Sequence, residues 1–226
     1  MSAATILTKE LKELSRNPTY HVTLRNDNIF EWTLGLYIVN PDSPWHHAYL
    51  TANINFTRQY PYTPPTFVFS PAIYHPNVYN DGRVCISILH SATGDFTGEP
   101  ENETWSPAQC VESVIMSIIS ILDDPNIQSP ANIEASNMWR DHRDKYNERI
   151  KQYAKKTHAN IPEDFDIPSD NVVCGSAKQE DEDDWYFDEE SDDDNEDEED
   201  EDDDADQMSY EEDEAEMSED YGEDEK

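Results

Sequence analysis

Tyr74-His75-Pro76-Asn77-Val78-Tyr79-Asn80-Asp81-Gly82-Arg83-Val84-Cys85-Ile86, residues 74–86, separates two kinds of pattern. Before it, short strand-like runs are divided by turn signals; after it, apolar residues recur at helical spacing. Pro76-Asn77 and Asp81-Gly82 are themselves turn signals. They sit in a longer stretch, about residues 70–107, broken by Pro71, Gly94, Gly98, Pro100 and Pro107 and with little regular pattern. A structureless stretch of that length inside a compact domain is usually functional. It holds Cys85.

Working upstream, Tyr20–Arg25, Glu31–Val39, Tyr49–Phe56 and Phe67–Phe69 read as four strands. Short turns at Asn26-Asp27-Asn28, residues 40–44 and residues 60–65 join them, which predicts an antiparallel meander. Ala3–Arg16 precedes them as an amphipathic helix with Leu7, Leu11 and Leu14 on one face, stopped by Asn17-Pro18. Downstream, Val111, Val114, Ile115, Ile118, Ile119 and Leu122 form a broad apolar face, so a largely buried helix is expected. Asp123-Asp124-Pro125-Asn126 closes it. Ile133–Trp139 begins another helix, and Asp141–Lys156 carries Tyr146, Ile150 and Tyr153 on a last one. The fold class is α+β, and no internal repeat is visible.

Charge divides the 226 residues unevenly. Gln179–Lys226 holds 31 Asp/Glu against one Lys, a net of −30 out of the total −37, and residues 1–178 carry the remaining −7. The tail cannot bury enough apolar surface to offset its chain entropy, which predicts disorder. The expected organisation is a domain over 1–160, a linker over 161–178 and a disordered acidic tail over 179–226. Ile161–Pro168 opens the linker. The three cysteines, Cys85, Cys110 and Cys174, give neither a disulfide framework nor a zinc pattern. Met1–Lys9 lacks a signal-peptide core, and Val114–Leu122 is too short to span a bilayer. A reducing cytoplasmic or nuclear setting follows. At this net charge nucleic acid is not an expected partner, and neither is a membrane. Oligomeric state is unspecified beyond a monomer or weak self-association.

Five pieces stand in one order: Tyr60-Pro61-Tyr62-Thr63-Pro64-Pro65, Tyr74-His75-Pro76-Asn77-Val78-Tyr79, Asp81-Gly82-Arg83-Val84-Cys85-Ile86, Trp105-Ser106-Pro107-Ala108 and Asp124-Pro125-Asn126. In that order they resemble the ubiquitin-conjugating enzyme family, over about residues 4–156. Two further features narrow the resemblance. Nineteen residues lie between Cys85 and Trp105, with an acidic insertion at about 91–104 that includes Asp95, Glu99, Glu101 and Glu103. The acidic tail is the second feature. Together with Ser87 and Ser129-Pro130-Ala131-Asn132 they resemble the cell-division-cycle subgroup that serves SCF-type cullin-RING ligases.

The resemblance implies a fold and a chemistry. Cys85 would hold ubiquitin's C-terminal carboxyl as a thioester, received from an activating enzyme and passed to a lysine amine. The thiolate is the reactive form. Cys110 is expected to pack, and Cys174 falls in the linker. Asn77 has two readings. Its amide donates to the oxyanion formed during attack, a contribution of about 2.7–4 kcal/mol for one such donor, or it holds its loop through backbone hydrogen bonds. His75 is structural by resemblance, and Pro76 sets the turn.

No strong general base stands beside Cys85 in the sequence. Lysine, with an ordinary pKa of about 10.4, is neutral only about once in a few thousand at pH 7. Lowering that pKa by about three units is worth roughly 4 kcal/mol, within the reach of desolvation. By resemblance Asn77, Tyr79 and Ser129 line the lysine's approach. Ser129 stands where many relatives carry an acid, so a carboxylate of the 95–103 segment is a candidate to orient the amine.

Partner surfaces carry over likewise: Lys9 and Lys12 toward the activating enzyme, Tyr62, Ser106, Pro107 and Ala108 toward a RING ligase, and Met116 and Ser120 toward the donor ubiquitin. Solvated lysines, a packed Tyr62 and a core Met116 are the plainer readings. No directly bound cofactor is expected, ATP being used upstream by the activating enzyme. Where the family has a Gly-Gly pair, this chain reads Trp45-His46-His47-Ala48. The turn there must avoid positive φ or accept strain. Adjacent strand residues point to opposite faces, so no metal site is expected at the histidine pair.

The tail is either a solvated, self-repelling segment or an electrostatic lure for a basic groove on a cullin. Trp185-Tyr186-Phe187, Tyr210 and Tyr221 offer anchors within it, and phosphorylation of Ser191, Ser209 or Ser218 would deepen its charge. Degradative polyubiquitin chains are the expected product. Two other functions compete: a catalytically silent ubiquitin-binding scaffold, disfavoured because Cys85 is present, and an acidic chaperone for basic proteins. Tail deletion separates the chaperone from the enzyme.

Overall fold

A computed structural model describes residues 2–91 and 103–168. The chain divides into two units, Met1–Gln179 and Glu180–Lys226, and every described residue belongs to the first. The expected acidic insertion, apart from Ser91, Glu103 and Thr104, lies outside the described residues, as do Cys174 and the acidic tail.

Helix α1 spans Ala3–Leu14 and is capped by Ser2, whose hydroxyl accepts the Thr5 amide. Four strands follow: β1 (Tyr20–Leu24), β2 (Glu31–Tyr37), β3 (Tyr49–Asn55) and β4 (Thr66–Phe69). They form one antiparallel sheet in the order β1-β2-β3-β4, the meander expected from the short links. Three helices follow the bridge: α2 (Val111–Asp123), α3 (Ile133–Asp141) and α4 (Arg143–His158).

Period-two alternation sorts the sheet into faces. Trp32, Leu34 and Leu36 of β2, Leu50, Ala52 and Ile54 of β3, and Phe67 and Phe69 of β4 are buried and share one core with Leu7 and Leu14 of α1. The apolar stripe of α2, Val111, Val114, Ile115, Ile118 and Leu122, joins the same core. Tyr146, Ile150 and Ala154 of α4 extend it. At about 25 cal/mol per Å² of apolar surface, burial of this kind is the main force holding the domain together.

Three sequence expectations need correction. First, residues 161–168 are not a free linker at their start. The Phe165 ring packs against Tyr49 (5.4 Å), His21 (5.7 Å) and Tyr37 (6.1 Å) on the outer face of the sheet. Asp164 lies 3.6 Å from His21, and Pro168 is buried. Burial pushes the Tyr49 phenol up to about 12. Second, the bridge has little regular secondary structure, as expected, but it is not structureless: residues 77–85 form an ordered turn. Third, His46 and His47 are not strand neighbours on opposite faces. Both lie in the turn after β2, with ring centroids 3.7 Å apart. His47 takes φ +64°, so the turn accepts the left-handed conformation without glycine.

Among the described residues no helix is long and apolar enough to cross a membrane.

Candidate active site

Residues 77–85 fold into a small hairpin. Val78 pairs with Val84 across it, and both point into the core. The Tyr79 amide donates to the Arg83 carbonyl (2.9 Å), the Gly82 amide to the Tyr79 carbonyl (2.9 Å) and the Cys85 amide to the Asn77 carbonyl (2.9 Å). Asp81 locks the tip. Its carboxylate accepts the Arg83 backbone amide (3.1 Å) and the Arg83 Nε (2.7 Å). Gly82 sits at φ +89°, and a Cβ there would fall 2.1 Å from the Phe69 carbonyl oxygen, so only glycine fits. The hairpin therefore sets Asn77, Tyr79 and Cys85 side by side.

Cys85 is a free thiol of intermediate burial, between core and open solvent. Tyr79 is 38% exposed. Its pKa is raised by a hydrogen bond with the Cys85 side chain, then by the charge of that group and by partial burial. The Arg83 guanidinium lies 5.1 Å from the Tyr79 ring centre.

His75 is wholly buried. Its Nδ1 accepts the Asn77 amide (3.1 Å), which leaves Nε2 as the donor to the Ile121 carbonyl at the end of α2 (2.8 Å). Burial pushes its pKa down to about 4, partly offset by the Ile121 bond. A neutral imidazole with both nitrogens occupied is a strut, in keeping with the structural role implied for it. Pro76 accepts the Asn132 amide through its carbonyl (2.9 Å), which ties the hairpin to the start of α3.

Asn77 is buried, and its amide pairs reciprocally with the backbone of Asn126. Nδ2 donates to the Asn126 carbonyl (2.8 Å), and Oδ1 accepts the Asn126 amide (2.9 Å). Nδ2 also lies 3.5 Å from the Ser129 carbonyl. Of its two readings, the loop-holding one has these bonds behind it. Asn126 in turn accepts the Gln128 and Ser129 amides on its side chain (3.0 and 3.4 Å). This chain of bonds brings exposed Ser129 to the Asn77 end of the hairpin.

The partner-surface residues are accessible. Lys9 and Lys12 are exposed on α1, Lys9 within 3.8 Å of Glu13. Tyr62 is 77% exposed, so it does not pack. Trp105 donates its indole N–H to the Pro61 carbonyl (2.7 Å), which pins the loop of Ser106, Pro107 and Ala108 beside that of Tyr62. Met116 is 41% exposed, which overturns the core reading, and the Tyr20 hydroxyl lies 3.6 Å from its sulfur. Ser120 is exposed one turn further along α2. Cys110 is a half-buried free thiol just before α2.

Sequence reasoning missed Glu10. Its carboxylate accepts the Tyr60 hydroxyl (2.6 Å) and the Val111 amide at the start of α2 (2.8 Å). It thus joins α1, the Tyr62 loop and α2, and desolvation raises its pKa. The one available signal was that Cys110 is a poor cap, so the first amides of α2 needed an acceptor from elsewhere.

Comparison with known proteins bears on the family. Residues 6–154 match the family model described as ubiquitin-conjugating enzyme. The chain is 42% identical over 186 residues to ubiquitin-conjugating enzyme E2-34 kDa of Saccharomyces cerevisiae, covering 80% of this chain and 63% of that protein. It therefore spans less than two thirds of that relative's length. It is 42% identical over 159 residues to ubiquitin-conjugating enzyme E2 7 of Arabidopsis thaliana (69% of this chain, 95% of that one). It is 39% identical over 155 residues to ubiquitin-conjugating enzyme E2 G2 of Homo sapiens (67% and 93%). With a matching family model over most of the described domain and relatives of this identity, the chain belongs to the ubiquitin-conjugating enzyme family.

Proposed function

We propose that Cys85 accepts the C-terminal carboxyl of ubiquitin from an activating enzyme and passes it to a lysine amine. In the first step the Cys85 thiolate attacks the carbonyl held on the activating enzyme, and the donor thiolate leaves. In the second, the lysine nitrogen attacks the Cys85 thioester, an isopeptide bond forms, the nitrogen loses a proton and the Cys85 thiolate departs. ATP is consumed by the activating enzyme before either step. The observation that carries this reading is the half-buried free thiol of Cys85 beside Tyr79 at the end of a rigid hairpin.

The approach to Cys85 suits an amine nucleophile. By resemblance Tyr79, Ser129 and Asn77 line it, and the lysine becomes neutral there by desolvation. Glu103 is the one member of the 95–103 candidates among the described residues, and it is exposed. Lys9 and Lys12 meet the activating enzyme, Tyr62 with Ser106, Pro107 and Ala108 meets a RING ligase, and Met116 with Ser120 meets the donor ubiquitin. In the finer reading the ligase is of the cullin type, drawn by the acidic tail, and the products are degradative polyubiquitin chains. The setting is the cytoplasm and nucleus, where thiols stay reduced.

A charging assay tests the core of this. The full chain, mixed with activating enzyme, ATP and ubiquitin, should form an adduct cleaved by thiols. Wild type that forms none, or Cys85→Ala that still forms it, would overturn the proposal.

A further inference from the structure

Helix α1 turns a carboxylate toward the packed side of the domain. Glu10 stands one turn from each of the buried residues Leu7 and Leu14 and shares their helical face. A carboxylate partly withdrawn from water is costly unless donors meet it. Here each oxygen meets one. Oε1 accepts the Tyr60 hydroxyl (2.6 Å) and Oε2 the Val111 amide (2.8 Å), donors that lie 50 and 101 residues along the chain.

Each donor is the root of a loop. Tyr60 is 2% exposed. Its ring meets Phe56 edge-on (5.2 Å) and lies 5.8 Å from Trp105. From that anchor the chain turns at once: the Tyr62 amide donates to the Gln59 carbonyl (2.8 Å), and the Tyr62 ring stands out in solvent. Val111 opens α2 directly after the segment 105–110, in which the Gln109 amide donates to the Ser106 carbonyl (2.9 Å). Trp105 ties the other end of that segment to the first loop through its indole bond to the Pro61 carbonyl. The Tyr62 loop and the Ser106–Ala108 loop are therefore fastened to each other at both ends, by Trp105 on Pro61 and by Glu10 on Tyr60 and Val111.

We propose that Glu10 is a positioning residue for ligase docking: by fixing the roots of the two loops, it presents them as one preformed surface. The proposal rests on the reading above that these loops meet a RING ligase. A preformed surface binds more tightly because less freedom is lost on docking. Without the Glu10 tie, one or two side chains must be ordered during docking, which weakens it about tenfold. Thioester formation does not draw on the tie. α1 keeps its seat through Leu7 and Leu14, and Lys9 and Lys12 stay exposed on it.

Discharge to free lysine from the full chain preloaded with ubiquitin, titrated with a RING ligase, tests this. Glu10→Ala should raise the half-saturating ligase concentration about tenfold and leave the plateau rate unchanged. It should still charge, and discharge without ligase, as wild type does. Glu10→Gln should restore wild-type half-saturation, because its amide accepts from Val111 and donates to the Tyr60 oxygen. Tyr60→Phe removes one arm and should have a smaller effect than Glu10→Ala, and the double variant should match Glu10→Ala. A general loss of structure would instead slow charging and lower the plateau together. Tyr62→Ala reports on the surface itself. If it leaves the ligase titration unchanged, the loop assignment fails and the proposal falls with it. If Tyr62→Ala weakens the ligase and Glu10→Ala does not, the loop assignment stands and the proposal alone is overturned. Glu10→Gln as impaired as Glu10→Ala, or Glu10→Ala losing charging and plateau in step with half-saturation, would also overturn it.

Discussion

His75 shows how one buried side chain ties stability to pH. Its folded pKa is lowered to about 4 by burial, against about 6.5 in an unfolded chain. Between those values the unfolded state binds a proton that the native state refuses. The associated stability is thus complete above about pH 6.5 and is lost as the pH falls toward 4, by roughly 3 kcal/mol across the window. Urea unfolding of wild type and His75→Gln should show this as a steeper loss in wild type between these pH values. Asn77 raises a different question, because its amide already bonds the Asn126 backbone twice. Asn77→Ala leaves that amide and carbonyl without partners and should cost about 1–3 kcal/mol, read from the urea midpoint. Lysine discharge from preloaded Asn77→Ala, measured where the variant is fully folded, then separates its two readings. A loss of about 10²–10³ places the amide on the oxyanion as well. The sequence could name Asn77 and His75 as members of one motif. It could not say that their polar atoms are spent on Ile121, Asn126 and Ser129, since those partners lie 46 to 52 residues away and no local pattern encodes the pairing.

At the level of elements, legibility followed periodicity. The four strands and the helix of Val111–Asp123 carried clean periods of two and three-to-four, and their bounds in the structure differ from the expected ones by only a residue or two. The hairpin of 77–85 was hidden because it is made by turn chemistry, Asp81 on Arg83 and a glycine against Phe69, and not by alternation. The packed segment 161–168 was hidden for a related reason. It contacts the sheet through one aromatic ring, and a single phenylalanine has no period. That contact should nonetheless matter, because Phe165 covers His21, Tyr37 and Tyr49 on the otherwise polar outer face. Removing a half-buried phenyl ring forfeits part of the roughly 1.5–3 kcal/mol that full burial of such a side chain is worth. Phe165→Ala should therefore lower stability by about 1–2 kcal/mol, and the Tyr49 phenol should titrate closer to its ordinary range. Ultraviolet absorbance at alkaline pH reads the second effect, and its absence would mean that β-sheet neighbours, not this strap, desolvate Tyr49.

For the whole molecule the decisive quantity is the division of charge, −30 over Gln179–Lys226 and −7 over the rest. Attraction between a segment of that charge and a basic groove acts over the Debye length, about 8 Å at physiological salt. It accelerates encounter more than it strengthens the docked complex. On the proposed function, thioester formation on Cys85 draws on the folded domain and should survive deletion of residues 180–226. Ligase-stimulated transfer should not, if the tail steers the enzyme to a cullin. The prediction is a crossed pattern. The full chain loses ligase-dependent rate steeply as salt rises, the shortened chain starts slow and is nearly insensitive to salt, and the two converge at about 1 M, where the Debye length falls to about 3 Å. Single-turnover discharge with a neutral-surfaced RING ligase supplies the control, in which both chains should behave alike. Equal salt slopes for the two chains with a cullin-RING ligase would remove the steering role. A shortened chain that could no longer form the Cys85 thioester would give the tail a part in the first transfer instead.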